Sequence, residues 1–213
     1  MLIEIYADVV CPWCYIGENR LEKALAQRPE LAIERRWQPF QLRPEMPKAG
    51  VAWPEFARDK FGGWENAQAA FAMVTQTGAA EGLSFDFERV ASAPNTVDAH
   101  RLILWAEDQG QQSQMANALF LAYFAQGRDL NNSADLVEVA VSVGLEAGEV
   151  QAFLDSPAKT AEVATSQQTA SRQRIQSVPT YIIEGRYKLV GAAAVSDFLR
   201  AFDLVLNETA LKA

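Results

Sequence analysis

The sequence predicts an α/β protein: one sheet domain that carries a large all-helical insertion. Three observations support this fold class. The first 43 residues have the pattern of a strand, a helix and a strand, about residues 52–176 are rich in helical patterns, and the chain from residue 178 onward returns to strands. A chain of 213 residues with 49% hydrophobic and 22% charged residues can bury a sizeable core.

The N-terminal segment predicts a βαβ unit. Residues 2–7 form the first strand, and residues 12–26 form a helix that buries Gly17, Leu21, Ala24 and Leu25. Pro29 breaks the chain before a second strand over residues 32–38. Open α/β sheets place their sites at the carboxyl ends of strands, which here is the first turn.

Apolar residues recur at helical spacing through the middle of the chain. The three repeats are Ala67, Ala70, Phe71 and Val74, then Ala99, Leu102, Ile103 and Ala106, then Met115, Ala118, Leu119 and Ala122. Ser133 is expected to cap a helix that ends near Gly144, and Ser156-Pro157 to begin a last long helix that runs toward Arg174.

The C-terminal segment predicts a β-hairpin followed by a helix. Strands over residues 178–183 and 187–190 flank a tight turn at residues 184–186. Gly191 then leads into a helix whose buried face is Val195, Phe198, Leu199 and Phe202. Strands at both ends of the chain therefore indicate one sheet with helices inserted in its middle.

The two cysteines of the chain, Cys11 and Cys14, stand three positions apart directly after the first strand. This spacing at a strand-to-helix junction is typical of a redox-active dithiol. If Cys11 opens the helix, its sulfur faces unpaired N–H groups and the positive end of the helix dipole, which favour the thiolate. Cys14 lies one turn further on the same side and can close a disulfide.

Two other interpretations of the cysteine pair are weaker. A structural zinc site needs four ligands, and besides this pair the chain offers one histidine, His100, so the site would have to borrow carboxylates. A structural disulfide would close a loop of about four residues and restrict the unfolded chain very little. We therefore expect a redox centre and no metal site.

The net charge and the composition of the N-terminal segment limit the possible partners and the cellular compartment. The net charge of −8 disfavours nucleic acid and anionic membranes as partners. Glu4 and Asp8 interrupt the apolar stretch that a secretory signal would require, so we expect a cytoplasmic protein. In that compartment a cysteine pair is more often catalytic than structural.

Several motifs together resemble the DsbA family of thioredoxin-fold proteins, specifically its FrnE-like branch, over essentially the whole chain. The motifs are residues 8–17 (DVVCPWCYIG), 37–42 (WQPFQL), 95–96 (NT), 99–102 (AHRL), 177–181 (SVPTY) and 185–187 (GRY). The resemblance implies a thioredoxin-like domain over residues 1–45 plus 160–213 and an inserted helical domain over residues 46–159. It also implies that Pro179 is cis and lies against the dithiol, and that the Val178 backbone pairs with an extended substrate.

The family chemistry is thiol–disulfide exchange, in which Cys11 forms a mixed disulfide with the substrate and Cys14 resolves it. Between the cysteines, Pro12-Trp13 lacks the histidine of strongly oxidising relatives, so we expect a less oxidising couple. Trp13 is expected to offer the substrate an apolar contact. Asp8 is expected to cap the first helix.

His100 allows two interpretations. In the first it is a helix histidine with a satisfied hydrogen bond, at the edge of the apolar stripe of its helix. In the second it lies with Asn95 in the wall of the substrate groove, where it could shuttle a proton.

The sequence thus predicts a thiol–disulfide oxidoreductase, a protein disulfide oxidoreductase or isomerase, that acts on protein or small-molecule thiols. No cofactor is expected, with glutathione a possible co-substrate, and the chain is expected to be a monomer or homodimer. One alternative is a glutathione-dependent transferase or a relative of 2-hydroxychromene-2-carboxylate isomerase, although such relatives typically carry serine in place of Cys11. The other is a redox-switched chaperone or binding module.

Overall fold

The computed structural model describes residues 1–210 and contains a four-stranded mixed sheet. The strands of this sheet are β1 (Leu2–Ala7), β2 (Glu34–Pro39), β5 (Thr180–Ile183) and β6 (Tyr187–Val190), in the spatial order β2-β1-β5-β6. β1 is parallel to β2 and antiparallel to β5, which is antiparallel to β6. The first strand and the first strand of the C-terminal hairpin therefore lie side by side at the centre of one sheet.

The described residues also form nine helices and a two-stranded ribbon. The helices are α1 (Pro12–Ala26), α2 (Trp53–Phe61), α3 (Trp64–Glu81), α4 (Val97–Glu107), α5 (Gln112–Phe124), α6 (Ser133–Ser142), α7 (Ala147–Asp155), α8 (Thr160–Arg172) and α9 (Val195–Ala210). The ribbon pairs β3 (Val51–Ala52) with β4 (Ser92–Ala93) in antiparallel fashion. No helix within residues 1–210 is long and apolar enough to cross a membrane.

The sheet and the inserted helices share one hydrophobic core. Tyr15 of α1 stacks on Phe120 of α5 with ring centroids 5.2 Å apart, and Trp37 of β2 lies 6.0 Å from the same ring. Phe120 is completely buried. Helix α9 also packs against α1. This arrangement confirms the predicted fold class, a sheet that carries a large helical insertion.

Two strands begin two residues later than predicted. β2 starts at Glu34, which pairs with Leu2, and the Glu34 N–H donates to the Met1 carbonyl at 2.8 Å. β5 starts at Thr180 because the preceding Pro179 has no N–H to donate to a neighbouring strand. The predicted turn at residues 184–186 is present, with Glu184 and Gly185 both at positive φ.

Two predicted helix caps are wrong. The cap of α6 is Asn132, whose side chain accepts a hydrogen bond from the Ala134 N–H, and not Ser133. Ser156 instead ends α7, where its hydroxyl donates to the Phe153 carbonyl at 2.7 Å. The helix after it begins only at Thr160, since Lys159 adopts a left-handed conformation with φ 64°.

The division of the chain into a thioredoxin-like domain (residues 1–45 plus 160–213) and an inserted helical domain (residues 46–159) stays a prediction. Residues 211–213 of the first domain lie outside the described residues. Within the described part, α2 to α7 all fall between residues 46 and 159.

Candidate active site

The two cysteines occupy the N-terminus of α1, immediately after β1. Cys11 is the N-cap residue, with φ −95° and ψ 110°, and Pro12 is the first helical residue. Proline suits that position because its fixed φ is helical and the missing N–H has no partner within the helix there. Cys14 follows in the first turn, and its N–H donates to the Cys11 carbonyl at 3.0 Å.

The two thiols differ in their surroundings. Cys11 is 5% exposed and Cys14 1%. Burial raises the pKa of the Cys14 thiol well above its ordinary value, and the hydrogen bond and charge of Cys11 raise it further. Cys14 therefore holds its proton as long as it is packed behind Cys11.

The segment at Val178 and Pro179 lies against the dithiol, although it is remote in the sequence. The Cys11 thiol donates to the Val178 carbonyl, with Sγ and O 3.7 Å apart. The peptide bond between Val178 and Pro179 is cis. The structure thus brings together Cys11, Cys14, Val178 and Pro179, the residues that the family resemblance placed at one site.

Asp8 does not cap α1, so that prediction is wrong. Its buried carboxylate accepts a hydrogen bond from the Leu42 N–H at 2.7 Å through Oδ2, and Oδ1 lies 3.2 Å from Nε2 of His100. The Asp8 backbone carbonyl accepts from the Cys11 N–H at 3.0 Å. Both carboxylate oxygens thus have partners outside α1, and no side chain caps this helix.

His100 and Asn95 lie behind the site and not in its wall. His100 is only 2% exposed and reaches the site through Asp8. The Asn95 amide donates to the Met46 carbonyl at 2.7 Å, its oxygen accepts from the Val97 N–H, and the residue borders a separate cavity. The structure therefore agrees with the interpretation of His100 as a buried helix histidine that has a hydrogen-bond partner.

A cavity of about 380 Å³ opens beside Cys11, and the sequence reasoning did not identify it. Cys11, Pro12, Trp13 and Val178 border it on the side of the dithiol. Aromatic residues from the helical insertion form much of the remaining wall: Trp53, Phe56, Phe61, Phe71, Phe87 and Phe124. The density of aromatic residues between positions 53 and 71 is the one sequence signal that could have indicated it.

The family model described as a DSBA-like thioredoxin domain matches residues 2–203. The chain belongs to this family. A crystal structure of a probable DsbA oxidoreductase from Streptomyces coelicolor is 33% identical to it, with a TM-score of 0.90 over 98% of this chain and 91% of the other. The chain is thus a member of a family of oxidoreductases with the DsbA-like thioredoxin fold, which act on thiols.

Two more distant structures share the fold of this DSBA-like chain. A 2-hydroxychromene-2-carboxylate isomerase is 16% identical, with a TM-score of 0.75 over all of both chains. The cytosolic disulfide reductase DsbM from Pseudomonas aeruginosa, solved with GSH, is 20% identical, with a TM-score of 0.63 over all of both chains. At these identities the likeness concerns the fold alone, and membership of the FrnE-like branch stays a prediction.

Proposed function

We propose that this protein is a thiol–disulfide oxidoreductase that uses Cys11 and Cys14 to exchange disulfides with protein or small-molecule thiols. The observation that carries the proposal is the arrangement of the two thiols. Cys11 stands at the helix N-terminus beside the open cavity, and Cys14 lies one turn behind it. An N-terminal helix end stabilises a thiolate through its free N–H groups and dipole.

The first step is attack by the Cys11 thiolate on a disulfide of the substrate. A bond forms between Cys11 Sγ and one substrate sulfur, the substrate S–S bond breaks, and the other sulfur leaves as a thiolate that takes up a proton. Val178 and Pro179 border the reacting sulfur and are proposed to align the substrate, together with Pro12 and Trp13 on the helix side.

The second step is resolution by Cys14. Cys14 loses its proton and attacks Cys11 Sγ, the mixed disulfide breaks, and the second substrate sulfur leaves as a thiolate. Two electrons have then passed from the dithiol to the substrate, and the protein holds a Cys11–Cys14 disulfide. Because burial raises the Cys14 pKa, this step is expected to accelerate as the pH rises.

Reduction of insulin by dithiothreitol in the presence of the protein tests the proposal. We expect Cys11→Ser to abolish catalysis. In a separate incubation of the reduced variant with insulin and no dithiothreitol, Cys14→Ser, an isosteric change one helical turn away, should instead accumulate a mixed disulfide with the substrate that mass spectrometry detects. Absence of that adduct in Cys14→Ser, with activity equal to the wild type, would contradict the assigned roles.

The same pair of variants separates the alternatives. Activity that survives in Cys11→Ser would favour glutathione-dependent chemistry or a binding module over exchange by the dithiol. Glutathione as a co-substrate and a cytoplasmic location are part of the proposal. The expected monomer or homodimer, the lack of a cofactor, and the exclusion of nucleic acid and membrane partners stay predictions.

A further inference from the structure

The cavity beside Cys11 has the size and lining of a site for a small molecule. Its volume of about 380 Å³ falls within the range of roughly 300–1,000 Å³ that is typical of small-ligand pockets. It extends from the dithiol into the helical insertion, between residues of α2 and α3. An extended polypeptide that pairs with the Val178 backbone would not require such a volume.

Stacked rings make one wall of this cavity flat and apolar. Phe71 stacks on Phe87 with centroids 4.5 Å apart, and Trp53 stacks on Phe71 at 5.4 Å. Aromatic walls of this kind favour ligands that present a ring or another apolar group to them.

Two cations stand at the same wall. The Lys60 ammonium lies 5.5 Å from the ring centroids of Phe56 and Phe61, and the Arg43 guanidinium lies 5.9 Å from that of Phe56. Lys60 is exposed as a whole residue, yet desolvation is the main cause that lowers the pKa of its ammonium. The charge of Arg43 also lowers this pKa, while the charges of Cys11 and Asp8 raise it. Within residues 1–210, Lys60 forms no ion pair with a carboxylate, whereas Nη1 of Arg43 lies 3.5 Å from Oε1 of the exposed Glu45.

We propose that the cavity binds the body of a small apolar thiol or disulfide that carries a carboxylate, with its sulfur at Cys11 and its anion at Lys60 and Arg43. The proposal rests on the exchange function proposed above and narrows its substrate class. An apolar body without an anion would leave the Lys60 ammonium without a carboxylate, and a polar disulfide would make no use of the aromatic wall.

Single-turnover reaction of the reduced protein with three disulfides tests this assignment. The probes are the disulfide of para-mercaptobenzoate, the disulfide of para-mercaptobenzamide, and hydroxyethyl disulfide. In each reaction Cys11 Sγ forms a bond with one probe sulfur, and the other probe sulfur leaves as a thiolate. Cys14 then attacks Cys11 Sγ, the protein disulfide forms, and the first probe sulfur leaves as the second thiolate. Rates are divided by those of free glutathione with the same probe, which removes differences in leaving-group reactivity.

We expect the wild type to favour the benzoate over hydroxyethyl disulfide by roughly tenfold or more on this normalised scale. Ala70→Phe, which places a ring in the cavity, should lower that preference by about tenfold. Ala69→Phe adds the same ring at an exposed neighbour and should not change it.

Removal of the lysine charge provides an independent variant. Lys60→Gln should lower the ratio of the benzoate rate to the benzamide rate by roughly threefold to fivefold, as expected for a partly exposed ion pair. Arg58→Gln removes an exposed cation from the same helix, one that lies over Trp64 and outside the cavity, and should leave the ratio as in the wild type.

The failure of this assignment and the failure of the exchange function give different results. If the wild type reacts with all three probes in the same proportion as glutathione, the cavity is not the substrate site and the exchange chemistry stands. If the wild type transfers electrons to none of them, the exchange function itself is overturned. Equal benzoate preference in Lys60→Gln and wild type would overturn the role of the cation.

Discussion

The two cysteines of the dithiol have different surroundings and different proposed roles. Cys11 lies at the N-terminus of α1 and borders the cavity, whereas Cys14 is 1% exposed and burial raises the pKa of its thiol. A protonated, buried thiol does not compete as a nucleophile, since the thiolate is the reactive form. The asymmetry therefore favours attack through Cys11 and delays resolution until Cys14 loses its proton.

Glu18, one turn after Cys14, is a buried carboxyl group in the same helix. Its Oε1 lies 3.1 Å from Nη1 of Arg35, while Oε2 has no hydrogen-bond partner among the described residues. Desolvation raises its pKa to about 7, although Arg35 opposes this shift. In the unfolded chain the same group ionises near pH 4.5.

This shift makes the stability of the protein depend on pH. Between pH 4.5 and about 7 the unfolded chain has lost the Glu18 proton and the folded chain keeps it, so the free energy of unfolding falls as the pH rises. Relative to Glu18→Gln, the wild type should lose on the order of 3 kcal/mol between pH 4.5 and 7.5. Urea denaturation at both pH values measures this difference.

Glu22→Gln is the matched control, because Glu22 also contacts Arg35 but is 43% exposed. The difference in the free energy of unfolding between Glu22→Gln and the wild type should not show the same change with pH. If the corresponding difference for Glu18→Gln is constant over this pH range, the result would contradict burial of an ionisable Glu18.

At the scale of elements, α1 approaches the Pro179 segment closely because residue 17 is a glycine. A side-chain carbon at Gly17 would lie 2.4 Å from Oη of Tyr181, 3.1 Å from Cγ of Pro179 and 3.4 Å from Cα of Ala192. Tyr181 is completely buried and packs edge-on against Phe198 of α9 at 4.8 Å, so it cannot easily move away. The glycine thus sets the distance between the helix that carries the dithiol and the strand beside it.

Gly17→Ala is accordingly expected to be destabilising despite the higher helix propensity of alanine. Overpacking of this kind costs about 1–3 kcal/mol. It should also slow exchange with disulfides, because the Cys11–Val178 contact depends on the same packing. Denaturant unfolding and insulin reduction measure the two effects.

Gly148→Ala serves as the control for the change of residue type. Gly148 is an exposed residue in the first turn of α7, where an added carbon would approach Oε2 of Glu146 only to 3.3 Å. This variant should be as stable as the wild type or more stable, by up to about 1 kcal/mol. A Gly17→Ala protein that behaves in the same way would refute the close-packing argument.

At the scale of the whole molecule, the sheet and the insertion are joined by shared aromatic packing. Phe120 of the insertion stacks on Tyr15 beside the dithiol and contacts Trp37 of β2. The backbone N–H of Trp37 also donates a hydrogen bond to Oε1 of Gln112 in α5 at 2.9 Å. We therefore expect the two parts to unfold as one cooperative unit.

We expect Phe120→Ala to lower the free energy of unfolding by about 3–5 kcal/mol. Because the core is shared, the free energy of opening should fall equally for amides in β1 and in α5. Native-state hydrogen exchange at the amides of Ile5 and Leu119 measures this. Leu121→Ala, at a 42% exposed position of the same helix, should change both amides little. A loss confined to Leu119 would show that the insertion unfolds separately.

The elements next to the dithiol could be predicted from the sequence because their signals are local. The bounds of β1, α1 and β6 follow from alternating patterns, from Pro12 at the first helical position and from the turn at residues 184–186. The fold class followed from the order of these elements along the chain. The caps of α6 and α8 were less predictable, because serine beside a helix can cap it, end the previous one or do neither.

The sequence by itself determined the redox motif, its place at the end of the first strand and the α/β class, since spacing and periodicity encode all three. Only the tertiary structure decided what surrounds the motif. Asp8, predicted as a helix cap, contacts His100, which lies 92 positions away in the sequence. Lys60 and Phe71 border a cavity beside Cys11. These contacts depend on how distant helices pack against the sheet, and no local pattern in the chain encodes that packing.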